Sequence, residues 1–194
     1  MGLSLYYSGR FNPQSSLQEM IEEIKDIAEA NEWPYHIFET EFPPNSIGKK
    51  KYNDDIYGIF FTPPECETVD LCFLSNGRMS SGINLKFWGN SKKKEEQGYL
   101  YMLSVKTQFA GIEIHKLIIH LLKYLSKKYF LDFKVTDEGH YWETGDEKLL
   151  AKTFGEYNAF FDEVTTAVET FPMKAGETIE EYFQRILKPK GRKG

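Results

Sequence analysis

Lys106-Thr107-Gln108-Phe109-Ala110-Gly111, with the apolar run Ile112-Glu113-Ile114-His115-Lys116-Leu117-Ile118-Ile119-His120-Leu121-Leu122 behind it, decides the fold. The polar lead-in gives way to the most apolar helix pattern in the chain, from Ile112 to about Tyr129. Ile112, Ile114, Leu117, Ile118, Leu121, Leu122 and Leu125 spread around more than half of a helical wheel. Glu113, Lys116, His120, Lys123 and Lys127 form its one polar stripe. A helix this apolar must be covered on two sides, by a sheet and by a second helix. The predicted second cover is 147–171, where Leu149, Leu150, Phe154, Tyr157, Phe160, Phe161, Val164 and Val168 share a face and Pro172 ends the pattern.

Outward from that helix, Leu3 to Phe11 reads as a first strand. Ser16-Leu17-Gln18-Glu19 is a capping box that opens a one-sided surface helix, with Leu17, Met20, Ile21, Ile24 and Ala28 in a narrow arc. Tyr35 to Phe42, Ile56 to Thr62, Val69 to Leu74, Ile83 to Trp88 and Tyr99 to Val105 read as further strands, separated by turn residues such as Pro63-Pro64 and Ser75-Asn76-Gly77. Short connections between consecutive strands imply antiparallel pairing. Thr178-Ile179-Glu180-Glu181 caps a short last helix with Ile179, Tyr182, Phe183 and Ile186 inward. The expected architecture is therefore α+β: one mostly antiparallel sheet of five to six strands, packed by a buried central helix and a second long helix. One domain is expected over residues 1–187, followed by a flexible basic tail at 188–194.

The 194 residues suit one domain, and 41% hydrophobic with 27% charged side chains is a globular balance. The 15 phenylalanines and 12 tyrosines are expected to fill the core between sheet and helices. No run reaches the ~18 apolar residues of a membrane span. The start Met1-Gly2-Leu3-Ser4-Leu5 carries neither a secretory signal nor, with Tyr6, a myristoylation pattern. Cys66 and Cys72 make neither a redox pair nor a disulfide framework, so a cytoplasmic, reducing location is expected, with Cys72 as a packed thiol. The net charge is −5, and residues 185–194 hold five cations and no acid, which leaves −10 on the rest. That balance disfavours nucleic acid, whose phosphates need a positive face, and suits a basic protein partner.

Chemistry is concentrated in Asp137-Glu138-Gly139-His140-Tyr141-Trp142-Glu143, which holds three acids, one of four histidines and one of three tryptophans. Gly139 permits a bend that gathers these side chains. The spacing matches neither a His-Glu-x-x-His zinc helix nor a calcium loop, so no metal and no cofactor is expected. His115 lies outside the polar stripe of the central helix. It is either a satisfied structural histidine or the partner of an acid from 137–143, a pair able to move a proton near neutral pH. Lys106 and Gln108 precede a helix N-terminus, where an anion could sit. The run 136–146 also reads as a polar loop in which Trp142 packs down and Thr144 or Asp146 caps the next helix.

Walker, dinucleotide-binding, nucleophile-elbow and kinase patterns are all missing. The leading expectation is thus a non-catalytic protein-interaction or regulatory module with an acidic surface. A second is a small-molecule hydrolase or lyase using His115, Glu138, His140 and Glu143, with Lys106, Gln108 and Trp142 binding the ligand. A third is an anion-binding small-molecule sensor at the start of the central helix.

Overall fold

The computed structural model describes residues 2–186; the basic tail expected at 188–194 lies outside them. β1 (Ser4–Phe11) alternates as a half-buried strand should: Leu5, Tyr7 and Phe11 are buried while Tyr6 and Arg10 face outward. It is the middle strand of a first antiparallel sheet, between β5 (Leu103–Lys106) and β6 (Phe130–Asp137). β2 (Tyr35–Ile37), β3 (Ile56–Phe61) and β4 (Val69–Leu74) form a second antiparallel sheet in that order.

The α+β class and the antiparallel pairing are as expected, but the strands make two three-stranded sheets rather than one of five to six. The sheets meet at a seam. There the turn after β4 lends Phe11 a carbonyl from Gly77 at 2.7 Å, and Met79 donates its N–H to Gly9 at 3.0 Å.

Two expected strands account for much of the difference. Ile83–Trp88 lies within helix α2 (Gly82–Trp88), because Ser81 accepts the N–H of Asn84 at 3.1 Å and so caps a helix start. Its apolar residues alternate, but Leu85 and Trp88 also stand three apart, and those two pack while Ile83 and Phe87 stay exposed. Tyr99–Val105 splits into a 3-10 turn (Glu96–Tyr101) and the short β5. Together α2 and the 3-10 turn cover the outer face of β2-β3-β4, burying Ile56, Cys72, Leu74 and Leu100. Burial pushes the half-buried Cys66 thiol up to about 12, so it stays protonated and unreactive at neutral pH.

Helix α1 (Leu17–Ala30) is capped by Ser16, which accepts the N–H of Glu19 at 3.2 Å, and it buries Leu17, Met20, Ile21, Ile24 and Ala28. The central helix α3 (Gly111–Tyr129) buries Ile118, Ile119, Leu121, Leu122, Leu125 and Tyr129 in the same core as α1 and both sheets. Aromatic rings fill much of that core: Phe11 sits 5.3 Å from Phe73 edge-on, and Trp33 stacks on Phe61 at 5.6 Å.

The short helix α4 (Tyr141–Thr144) leads into α5 (Glu147–Thr170), capped by Asp146, which accepts the N–H groups of Lys148 and Leu149. Helix α5 covers α3 only with its first turns, through Leu150 and Phe154. The rest of its apolar face is not buried. Phe160 is 45% exposed and Val168 39%, so the expected two-sided wrapping of α3 is limited to one end. Helix α6 (Ile179–Ile186) turns back, with the Tyr182 hydroxyl donating to the Val168 carbonyl at 3.3 Å. Among the described residues no helix is long and apolar enough to cross a membrane.

Asp70 on β4 has a carboxyl pushed up by burial from its ordinary 3.8 to about 6. A raised carboxylate pKa favours the folded state below pH 4, and that advantage is lost as pH rises through about 6. Asp70→Asn is expected to stabilise the protein at pH 7.5 by about 2 kcal/mol, the cost of ionising the buried carboxyl being discounted for residual solvent access. The gain should vanish at pH 4. Thermal melts of both proteins at the two pH values check it.

Candidate functional site

At the end of β5 the chain leaves the sheet. Thr107 still donates its N–H to the Leu3 carbonyl at 2.9 Å, which fixes its side chain under the first turns of α3. There the Thr107 hydroxyl meets His115 Nδ1 at 2.7 Å. On the other side of the ring, Nε2 stands 3.2 Å from Asp137 Oδ1, and both side chains are fully buried. That approach is close for an ion pair but poorly aligned for a hydrogen bond. Proton bookkeeping selects the tautomer: facing a carboxylate, Nε2 must carry a proton. In the neutral ring Nδ1 then accepts from Thr107.

Asp137 ends β6 and points inward because it continues the inward period of Phe133 and Val135. Its Oδ1 accepts the N–H of Gly139 at 2.7 Å and its Oδ2 that of Trp142 at 2.9 Å, so one carboxylate folds the bend and starts α4. Burial acts hardest on this carboxyl and opposes its ionisation. His115 and the two amides outweigh that and hold it below the usual carboxylate range.

The pair is also roofed. The Phe154 ring stands edge-on to His115 at 5.5 Å. A Cβ on Gly139 would lie 2.7 Å from Leu150 Cδ1, 3.0 Å from His115 Nε2 and 3.1 Å from Asp137 Oδ1. Any larger residue would have to push Leu150 aside.

The other expected site residues face elsewhere. Glu138 accepts the N–H of Ser4 at 2.8 Å and so secures the start of β1. His140 is exposed, takes a left-handed backbone with φ of 59°, and precedes α4. Glu143 is exposed on α4. Trp142 does pack down, edge-on to Phe133 at 5.9 Å, with Lys123 Nζ 5.4 Å from its ring.

Lys106 Nζ lies 4.9 Å from the Phe109 ring and 5.8 Å from Phe161, away from His115. Gln108 is only 3% exposed, and among the described residues neither polar atom of its amide has a hydrogen-bond partner. It abuts Gly2, where an added Cβ would sit 2.5 Å from Gln108 Oε1. His115 is thus joined with Asp137 and Thr107, while Glu138, His140 and Glu143 do not enter the cluster.

Among the described residues no three His, Cys, Asp or Glu gather as a metal site. Comparison with known protein families, with curated proteins and with solved structures finds no match, and the chemistry of the site rests on its own geometry.

Proposed function

We propose that this protein is a non-catalytic interaction module that takes a basic, amphipathic helix on the exposed apolar face of α5 and α6. One observation carries the reading. Phe160 and Val168 on α5, Met173 in the connection, and Ile179 and Phe183 on α6 are all between 39% and 69% exposed. Apolar side chains at this density over one short region are characteristic of a docking surface. The charge around them supports the choice of partner: from Glu156 to Thr170, α5 carries four acids and no lysine or arginine.

The enzyme reading has less support. His115 is fully buried, with Nδ1 bonded to Thr107 and Nε2 facing Asp137, and a general base must reach the proton it abstracts. The anion-sensor reading is weaker for a similar reason, since Gln108 is buried and Lys106 lies against aromatic rings.

The test is a photo-crosslinking residue placed at Phe160 or Ile179 in cells making the protein, with Phe87 on α2 as an exposed control. The expected result is one discrete adduct to another protein through a lysine- and arginine-rich segment, absent from the Phe87 control and abolished by Val168→Glu. Adducts only to a second copy of this chain, or equal adducts from the control, would contradict the proposal.

A further inference from the structure

We infer that the open face of the β5-β1-β6 sheet is a binding site for a free mononucleotide, held by Arg78 and Lys134 at its phosphate and by the Arg78–Tyr101 stack and Tyr6 at its base. Because Leu5, Tyr7 and Phe11 face the core, Tyr6, Ser8 and Arg10 face outward. The antiparallel register sets Tyr6 between Ser104 and Thr136, and Ser8 opposite Lys134. Tyr101 and Met102, leaving the 3-10 turn, raise a wall along one side together with Arg78. The result is an open cleft of about 400 Å³, lined by Tyr6, Ser8, Arg78, Tyr101, Lys134 and Thr136. A contiguous hollow of about 390 Å³ shares four of these residues and adds Arg10 and Asp132. These volumes fall within the range of small-ligand sites.

The charges in the cleft are unbalanced. Arg10 and Arg78 are direct cross-strand neighbours, a relation in which like charges repel. Asp132 pairs with Arg10. Arg78 instead sits over Tyr101, its guanidinium carbon 3.2 Å from the ring centroid. Among the described residues neither Arg78 nor Lys134 has a carboxylate partner. A phosphate between them would relieve the repulsion and take charge-assisted hydrogen bonds.

The same geometry calls for a flat ring on the ligand. The guanidinium face turned away from Tyr101 is a stacking surface, and Tyr6, 37% exposed, stands on the floor of the cleft. A free nucleotide fits better than a strand of nucleic acid. The two unpaired cations, Arg78 and Lys134, can neutralise one phosphate group, whereas a polyanion would run onto a chain of net charge −5.

The test is calorimetric titration of the full chain with AMP, UMP, inorganic phosphate and a short single-stranded RNA. Arg78 and Lys134 are exposed, so Arg78→Gln and Lys134→Gln should leave the fold intact, which amide NMR spectra verify. Saturable binding of AMP or UMP is expected, about 10-fold weaker in either variant, for the loss of one charged hydrogen-bonding group. Tyr101→Leu should bring the nucleotide down to the affinity of inorganic phosphate. The inference is overturned if millimolar nucleotide gives no heat, if Arg78→Gln binds unchanged, or if the RNA binds more tightly than the mononucleotide.

Discussion

Asp137→Ala is expected to cost about 3–5 kcal/mol of folding stability, the penalty for breaking a buried charged network by removing one partner. The Gly139 and Trp142 amides lose their acceptor at once, and His115 Nε2 loses the carboxylate beside it. His115 and the Gly139 amide are buried beneath Leu150 and Phe154 and cannot readily turn to water. At a protein of this size the loss corresponds to a fall in melting temperature of roughly 10 °C. His115→Ala should be costly too, and the double variant should fall well short of the sum, since both substitutions remove the same interaction. The lowered carboxyl pKa of Asp137 adds a pH signature. Its contribution is present above the ordinary carboxylate range and lost as pH falls through the depressed folded value. The gap between wild type and Asp137→Ala should therefore narrow at the most acid pH at which the protein still folds. Chemical denaturation at neutral and acid pH measures both effects.

Gly58→Ala should be of similar size, about 3–5 kcal/mol, and for an unrelated reason. Gly58 lies in the middle of β3 with φ of 120°, a backbone conformation open to glycine and strained for any L side chain. A Cβ there would overlap the Leu71 carbonyl oxygen on β4, which is backbone and cannot swing aside. The position pairs with Cys72, and residues 56–59 are all buried, so no relaxation toward solvent is available. The variant should either fail to accumulate as folded protein or melt far below wild type, with its far-ultraviolet strand signal lost first.

What could be read in the sequence follows from how strongly each segment commits to one period. Helices α1 and α3 were legible because their apolar residues repeat at helical spacing over many turns, with a serine cap in the first case. The segment 83–88 was ambiguous because alternating apolar residues suit a strand while Leu85 and Trp88 also suit a short helix; the Ser81 cap decides. Helix α5 shows the limit of pattern reading. Its face from Leu149 to Val168 is continuous and apolar, yet among the described residues only Leu150 and Phe154 on it are buried. An apolar stripe states what must avoid water, not which surface will meet it.

The site followed the same logic. Composition alone pointed to 137–143, and the meeting of His115 with an acid from that run follows from α3 and β6 being packed together. Which acid turns inward was hidden among Asp137, Glu138 and Glu143. The signal is the two-residue period of Phe133 and Val135, which continues to Asp137 and leaves Glu138 on the other side. Thr107 carried no such mark. Its role depends on the β1–β5 register, which brings Leu3 and His115 to it from distant parts of the chain.

His115 and Asp137 are fully buried and help hold the core together. Histidine acylation by diethyl pyrocarbonate, followed residue by residue by mass spectrometry on the folded protein, tests that burial most directly. His36, His120 and His140 are exposed and should be modified quickly, while His115, fully buried, should stay unmodified until denaturant unfolds the chain. Modification of His115 in the folded protein at a rate close to that of His140 would contradict the account.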